Sequence, residues 1–229
     1  MRTVGIIGGL GPETTAEFYL EVIFGCYQRN KENRPPILVW NIPMNYKIEE
    51  DLLIRATGER RYLPYLLEAA RKLEAAGASF LVVPCNSVHI FIDEIRNAVR
   101  IPVLSIVEET AAFLKSRKMN RVGVLATQSS LNNKLYETAL ESEGITQVIP
   151  DGSDQAGVGE IIDRIVLNRH SDADREQLLR TIGKLTEKDV DAVILACTDL
   201  QLLAPKHDGL DIFDTMKILA EATVNKVLE

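Results

Sequence analysis

Short apolar runs alternate along this chain with longer stretches in which apolar side chains return every three or four positions. The runs predict strands over Thr3–Gly8, Ile37–Asn41, Phe80–Pro84, Val103–Ser105, Arg121–Ala126, Ile145–Ile149, Ala192–Ala196 and Asp211–Phe213. The longer stretches predict helices over Glu13–Arg29, Gly58–Ala76, Val107–Ser116, Leu131–Glu143, Ala156–Leu167, Asp174–Thr186 and Thr215–Leu228. Apolar strands interleaved with amphipathic helices are the signature of an α/β protein with a parallel sheet covered on both faces. Ala75-Ala76-Gly77-Ala78-Ser79 reads as a helix C-cap feeding a strand, and Asn33-Arg34-Pro35-Pro36 as a break before the second strand.

The pattern repeats. Val4-Gly5-Ile6-Ile7-Gly8-Gly9 is answered by Val122-Gly123-Val124-Leu125-Ala126-Thr127, and the helix after each carries a matching aromatic, Phe18-Tyr19 against Leu135-Tyr136. A second correspondence joins Val83-Pro84-Cys85-Asn86-Ser87 to Leu195-Ala196-Cys197-Thr198-Asp199. The strand starts lie 118 residues apart and the cysteines 112 apart, so the second copy runs six residues shorter. A shared offset in two separate features points to duplication, that is, to two similar α/β domains related by internal pseudo-symmetry. Two such domains facing one another place a cleft at the ends of their strands, where ligands bind in open α/β sheets.

The two cysteines carry the chemistry this layout suggests. Each ends an apolar strand and precedes small polar residues suited to a helix start, where the dipole favours the reactive thiolate. A buried cysteine alone is most often a small hydrophobe, and Cys26, in mid-helix without polar company, reads as packing. Matching positions in both copies shift Cys85 and Cys197 from packing to function. Asn86, Ser87 and Thr198 are placed to donate to a carboxylate, to cap their helices, or to do both. Gly8-Gly9-Leu10-Gly11-Pro12 is a strand-to-helix turn, equally readable as a tight turn or as an anion site built from the amides of Gly9, Leu10 and Gly11. It is not a dinucleotide fingerprint, because Pro12 stands where that turn continues. Thr127, Ser129 and Ser130 occupy the equivalent place in the second copy, as a second anion cradle or a serine-rich cap.

Around these lie helpers. His89, one helical turn beyond Cys85, tunes the thiol or satisfies a buried hydrogen bond, the structural role being the preferred reading. Asp199 assists Cys197 as an acid/base partner, or is an acidic residue in a first helical turn. Lys47, Arg55, Arg164 and Arg169 are the candidates for gripping a carboxylate, although most such side chains are solvated surface.

Composition narrows the class. With 46% hydrophobic and 26% charged residues the 229-residue chain suits one large or two small globular domains. A net charge of −7 argues against a nucleic-acid partner and requires local donors for any anionic ligand. Nothing in the sequence has the length of a membrane span, and the first ten residues read as a strand rather than a secretory leader, so the expectation is a cytoplasmic protein that binds no membrane. Three cysteines make no disulfide framework, and histidines at 89, 170 and 207 give no metal-ligand spacing. No pattern marks a pyridoxal lysine or a flavin, so neither metal nor cofactor is expected.

Taken together, Gly8-Gly9-Leu10-Gly11-Pro12, Pro84-Cys85-Asn86-Ser87-Val88-His89 and Ala196-Cys197-Thr198-Asp199-Leu200 resemble the aspartate/glutamate racemase family, in its aspartate racemase branch, over essentially the whole chain. The resemblance implies a homodimer and cofactor-independent, two-base racemisation of an acidic amino acid, aspartate or glutamate. It implies Cys85 and Cys197 as the opposed acid/base thiols, with Asn86, Ser87, Thr127 and Thr198 as substrate contacts. It also implies a crossing near the C-terminus, giving a first domain of residues 1–103 plus 210–229 and a second of 104–209. The chain departs from the family at Asp199, where Glu is usual, at Ser87 for Thr and at Leu10 for Met. At Lys47, where Arg is usual, bidentate carboxylate binding is lost. Two other readings compete: a non-catalytic amino-acid or dicarboxylate binding module, and a two-cysteine isomerase acting on a hydantoin or maleate. An NAD-dependent dehydrogenase is disfavoured by the glycine turn.

Overall fold

The computed structural model describes residues 1–53, 57–203 and 205–229, with the side chains of 49, 50, 52 and 53 outside the description. Two parallel sheets form the frame. In the first, β1 (Val4–Gly8) lies between β2 (Ile37–Asn41) and β3 (Phe80–Val82). In the second, β4 (Arg121–Ala126) lies between β5 (Thr146–Val148) and β6 (Ala192–Ala196), with β7 (Asp211–Asp214) beyond β6. The expected strand at Val103–Ser105 shrinks to one parallel bridge, Leu81 with Val103, which occupies in the first sheet the place that β7 holds in the second. The strand orders are therefore the same, and the duplication read from the offsets is present in the topology.

Matched glycines show why. A Cβ at Gly5 would sit 2.6 Å from Leu81 Cδ2, and one at Gly123 would sit 2.8 Å from Val193 Cγ2. In both copies the central strand is squeezed between its neighbour and a crossover helix, and only glycine fits.

The helices are α1 (Pro12–Asn30), α2 (Tyr46–Leu53), α3 (Leu63–Ala75), α4 (Ile92–Ala98), α5 (Ile106–Ser116), α6 (Gln128–Asn132), α7 (Leu135–Ser142), α8 (Gly152–Val166), α9 (Asp172–Thr186) and α10 (Thr215–Leu228). Three departures from the sequence pattern have local causes. The helix expected from Gly58 begins instead as a 3-10 turn at Glu59–Arg61 and restarts at Leu63, because Pro64 is tolerated only in a first turn. The helix expected over Leu131–Glu143 is broken at Lys134, whose φ of 53° is left-handed. Finally, α2 and α4 are short and were not expected.

Strand alternation sorts the core into three clusters. Val4 and Ile6 of β1, with Val122 and Val124 of β4, point to a central layer shared by both halves and filled by Phe18, Leu114, Tyr136 and Leu219. Ile7 and Leu81 face an outer cluster against α3, and Leu125 and Leu195 face another against α8 and α9. The chain's end divides between the halves. Although the sequence reading assigns all of 210–229 to the first domain, β7 hydrogen-bonds to β6 of the second sheet, while α10 packs on α1 and α5. α5 and α10 are counterparts, capped by Ser105 and Asp214 after equivalent strand positions, and they meet in the central layer. A large apolar interface of this kind holds the halves together as one floor beneath the cleft. No described helix is long and apolar enough to cross a membrane.

Candidate active site

At the C-terminal ends of both sheets lies a cavity of about 540 Å³, within the range of small-molecule sites. Cys85 and Cys197 both line it. Cys85 follows β3 through Val83 and Pro84, and Cys197 follows β6 directly. All three cysteines are reduced; Cys26 is fully buried in α1, and burial pushes its thiol pKa up. The structure therefore brings the two matched thiols, and not the third, to one cleft.

Neither catalytic-candidate thiol precedes a long helix. Ser87–Phe91 and Thr198–Leu203 are 3-10 turns, which offer little of the dipole invoked from sequence. For Cys197 the expectation of a favoured thiolate is reversed. Burial pushes its pKa well above the ordinary thiol value, and the charges of Asp199 and Cys85 push the same way. The Cys197 thiol points at Asp199 Oδ2, 3.8 Å away, while Asp199 Oδ1 accepts from Thr14 Oγ1 at 3.1 Å. Burial raises the Asp199 pKa as well. In the resting protein Cys197 is thus a protonated acid held against a carboxylate. A charge on one sulfur disfavours a charge on the other, so the pair holds one proton more readily than none.

His89 resolves in favour of its structural reading. It lies outside this cleft, and its Nδ1–H donates to the Cys85 carbonyl at 2.7 Å. Its Nε2 accepts from the Ile106 amide at 3.1 Å, which fixes the neutral tautomer. Burial lowers its pKa to about 4.

Of the other candidates, Leu10, Gly11, Asn86, Ser87, Thr198 and Asp199 line the cleft. Gly9 does not. At φ 87° it turns its amide to Thr15 Oγ1, 2.9 Å away, and Thr15 in turn donates to the Gly11 carbonyl, so the turn satisfies itself. Thr127, Ser129 and Ser130 also stand behind the wall. Thr127 and Ser130 form a buried hydroxyl cluster with Ser87, in which Ser87 Oγ lies 3.0 Å from Thr127 Oγ1, and the Ser129 hydroxyl donates to Glu59. Lys47 and Arg169 are exposed and outside the lining, while their neighbours Tyr46, Asn168 and His170 are part of it. Arg164 is engaged by Asp174 at 2.7 Å and by Glu160. Arg55 lies outside the described residues. Among the described residues no group of His, Cys, Asp and Glu is arranged to hold a metal.

The sequence reading did not single out Glu13, Tyr46, Tyr62 or His170 as wall residues. Glu13 and Thr14 belong to the glycine-turn motif, whose backbone amides are its signal in the sequence. Tyr46 and His170 each adjoin a cation chosen for its charge, and a step of one residue redirects a side chain.

Comparison with known proteins follows this geometry. The family model described as Asp/Glu/Hydantoin racemase matches residues 7–223. The chain is 29% identical, over 98% of its own length and 98% of the other, to the broad specificity amino-acid racemase RacX of Bacillus subtilis (strain 168). Among solved structures it is similar to an aspartate racemase homologue from Pyrococcus horikoshii OT3, at 25% identity and TM-score 0.81 with both chains fully covered. It shares its fold with Picrophilus torridus aspartate racemase, at 23% identity and TM-score 0.81 over 99% of this chain and 94% of that one.

Proposed function

The chain belongs to the Asp/Glu/hydantoin racemase family, and we propose that it inverts an amino-acid stereocentre without a cofactor, using Cys85 and Cys197 as opposed acid and base. The observation that carries the proposal is the convergence of two thiols from equivalent positions of two repeats on a single cleft.

In one direction the Cys85 thiolate removes the α-proton, and the C–H electron pair moves into the carboxylate to give an enediolate. The Cys197 thiol then delivers its proton to the opposite face of the carbon, and the electron pair returns to form the new C–H bond. The enzyme is left with the proton on Cys85 and the charge on Cys197, ready for the reverse reaction or for exchange with water. The resting protonation of Cys197 beside Asp199 makes Cys85 the base in the first of these states. An α-proton of an amino acid is so weakly acidic that thiols alone do not suffice, and donors must meet the developing charge. Thr198 lines the cleft, and among the described residues its hydroxyl has no hydrogen-bond partner, so it is offered as one such donor, with the backbone amides after each cysteine. The Ser87 hydroxyl, engaged by Thr127, orients rather than binds.

The family resemblance favours aspartate or glutamate, and the full-length similarity to a broad-specificity racemase favours a wider range. The experiment is to incubate the protein in heavy water with each chiral proteinogenic L-amino acid, following α-proton loss by NMR and product chirality by chromatography. α-Deuteration together with the D-enantiomer supports the proposal. Thermal stabilisation by an amino acid with no α-proton loss from any of them supports the non-catalytic binding module instead.

A further inference from the structure

Asn86, read from sequence as a substrate contact, is held at both ends of its side-chain amide by buried hydroxyls. Its Oδ1 accepts from the Tyr136 hydroxyl at 2.5 Å, and its Nδ2 donates to Thr215 Oγ1 at 3.0 Å. Thr215 Oγ1 donates onward to the Leu195 carbonyl at 2.9 Å. Asn86 adjoins Cys85, and Leu195 lies two residues before Cys197 on β6, so this short run of hydrogen bonds links one sulfur-bearing turn to the other. All the side chains are buried, with Asn86 1%, Tyr136 2% and Thr215 0% exposed, so water does not compete. Burial also pushes the Tyr136 phenol pKa upward, which keeps it a donor.

We propose that Tyr136 is a positioning residue of the racemase site, acting with Thr215 through the Asn86 amide to fix the separation of Cys85 and Cys197. This rests on the two-thiol reading above. No step of the proton chemistry uses Tyr136 or Thr215. Their role is to hold the Cys85 turn against the second half, above the apolar layer that the two halves share. A two-base reaction needs both sulfurs aligned with one carbon at the same moment. Removal of a proton by one of them needs only that one. Slack in the tether therefore lowers inversion more than it lowers proton removal, and misplacement by about 1 Å costs on the order of 100-fold in such a step.

The test compares wild type with Tyr136→Phe, Thr215→Val and Thr215→Ser, in heavy water, on the chiral proteinogenic L-amino acids. Two rates are read: appearance of the other enantiomer, and deuteration of the enantiomer supplied. For Tyr136→Phe and Thr215→Val the expected result is a fall of about 10- to 100-fold in kcat for inversion with KM changed less than about threefold. The ratio of retained-configuration deuteration to inversion rises in both, and Thr215→Ser, which keeps the hydroxyl, recovers the wild-type ratio. An unchanged ratio, with both rates intact or with both falling in step with the folded fraction, overturns the inference while leaving the racemase reading in place. If wild type deuterates none of the amino acids, the racemase reading fails and this inference falls with it.

Discussion

Asp199→Asn isolates the electrostatics of the second thiol. Asparagine keeps the size of the side chain and an oxygen for Thr14 Oγ1 to donate to, and removes the charge 3.8 Å from Cys197 Sγ. At that separation and an effective dielectric of about 20, Coulomb's law gives an interaction of about 4 kcal/mol. Asp199 is only partly buried and shares its charge with Thr14, so about half of that, ~2 kcal/mol, is the expected effect on ionisation of Cys197. A negative neighbour raises a thiol pKa, so its loss lets Cys197 shed its proton at lower pH. Cys197 must hold a proton when it acts as the acid. The alkaline limb of the pH profile for that direction therefore moves down, while the direction that uses Cys197 as base gains at neutral pH. The assay is kcat/KM against pH, run separately from each enantiomer by circular dichroism. An alkaline limb that stays in place, or moves up, would refute the claim that the carboxylate sets the protonation of this sulfur.

Further outcomes follow from other buried groups. The neutral His89 bridge predicts a 15N spectrum with Nδ1 protonated and Nε2 not, and titration near pH 4; titration near 6.5 would show that the ring is not clamped between Cys85 and Ile106. His89 has its folded pKa depressed, so the unfolded chain binds the extra proton between about pH 4 and 6.5 and stability from this group falls as pH drops through that window. Asp214, which caps α10 and has a buried, unpartnered Oδ2, is raised by burial to about 6. Its contribution is present at low pH and lost as pH rises toward 6, so Asp214→Asn, which retains a capping oxygen, gains on the order of 1–3 kcal/mol at pH 7 in urea unfolding; a loss of stability at pH 7 would contradict this. Gly5→Ala, forcing a methyl to 2.6 Å from Leu81 Cδ2, destabilises by about 1–3 kcal/mol through overpacking in the same assay, and a neutral result would mean that Leu81 repacks without cost.

What the sequence makes legible is what neighbouring residues decide. The strand end before Cys197, the glycine turn before Pro12 and the doubled Val-Gly-x-x pattern are local features, and the structure has them in place, whereas β3 stops at Val82, three residues short of Cys85. The partners of polar side chains are a different matter, because they are set across the fold. Asn86 meets Thr215 across 129 positions, and Ser87 meets Thr127 across 40. No periodicity announces that Thr127 and Ser130 face Ser87 instead of a ligand, or that the Gly9 amide turns back to Thr15. The strand expected over Val103–Ser105 is limited to one bridge with Leu81 because Ser105 already caps α5. Reading Cys197 as a thiolate failed because helix-start patterns say nothing of depth, and depth together with Asp199 decides its proton.

The two faces of one carbon can be interrogated separately. With Cys85→Ser and Cys197→Ser in heavy water, each supplied in turn with either enantiomer of the wild-type substrate, inversion ceases in both. Each variant should deuterate a single enantiomer with retention, and the two variants should choose opposite enantiomers. Deuteration of the same enantiomer by both, or inversion at the wild-type rate by either, would mean that the sulfurs do not stand on opposite sides of the reacting carbon.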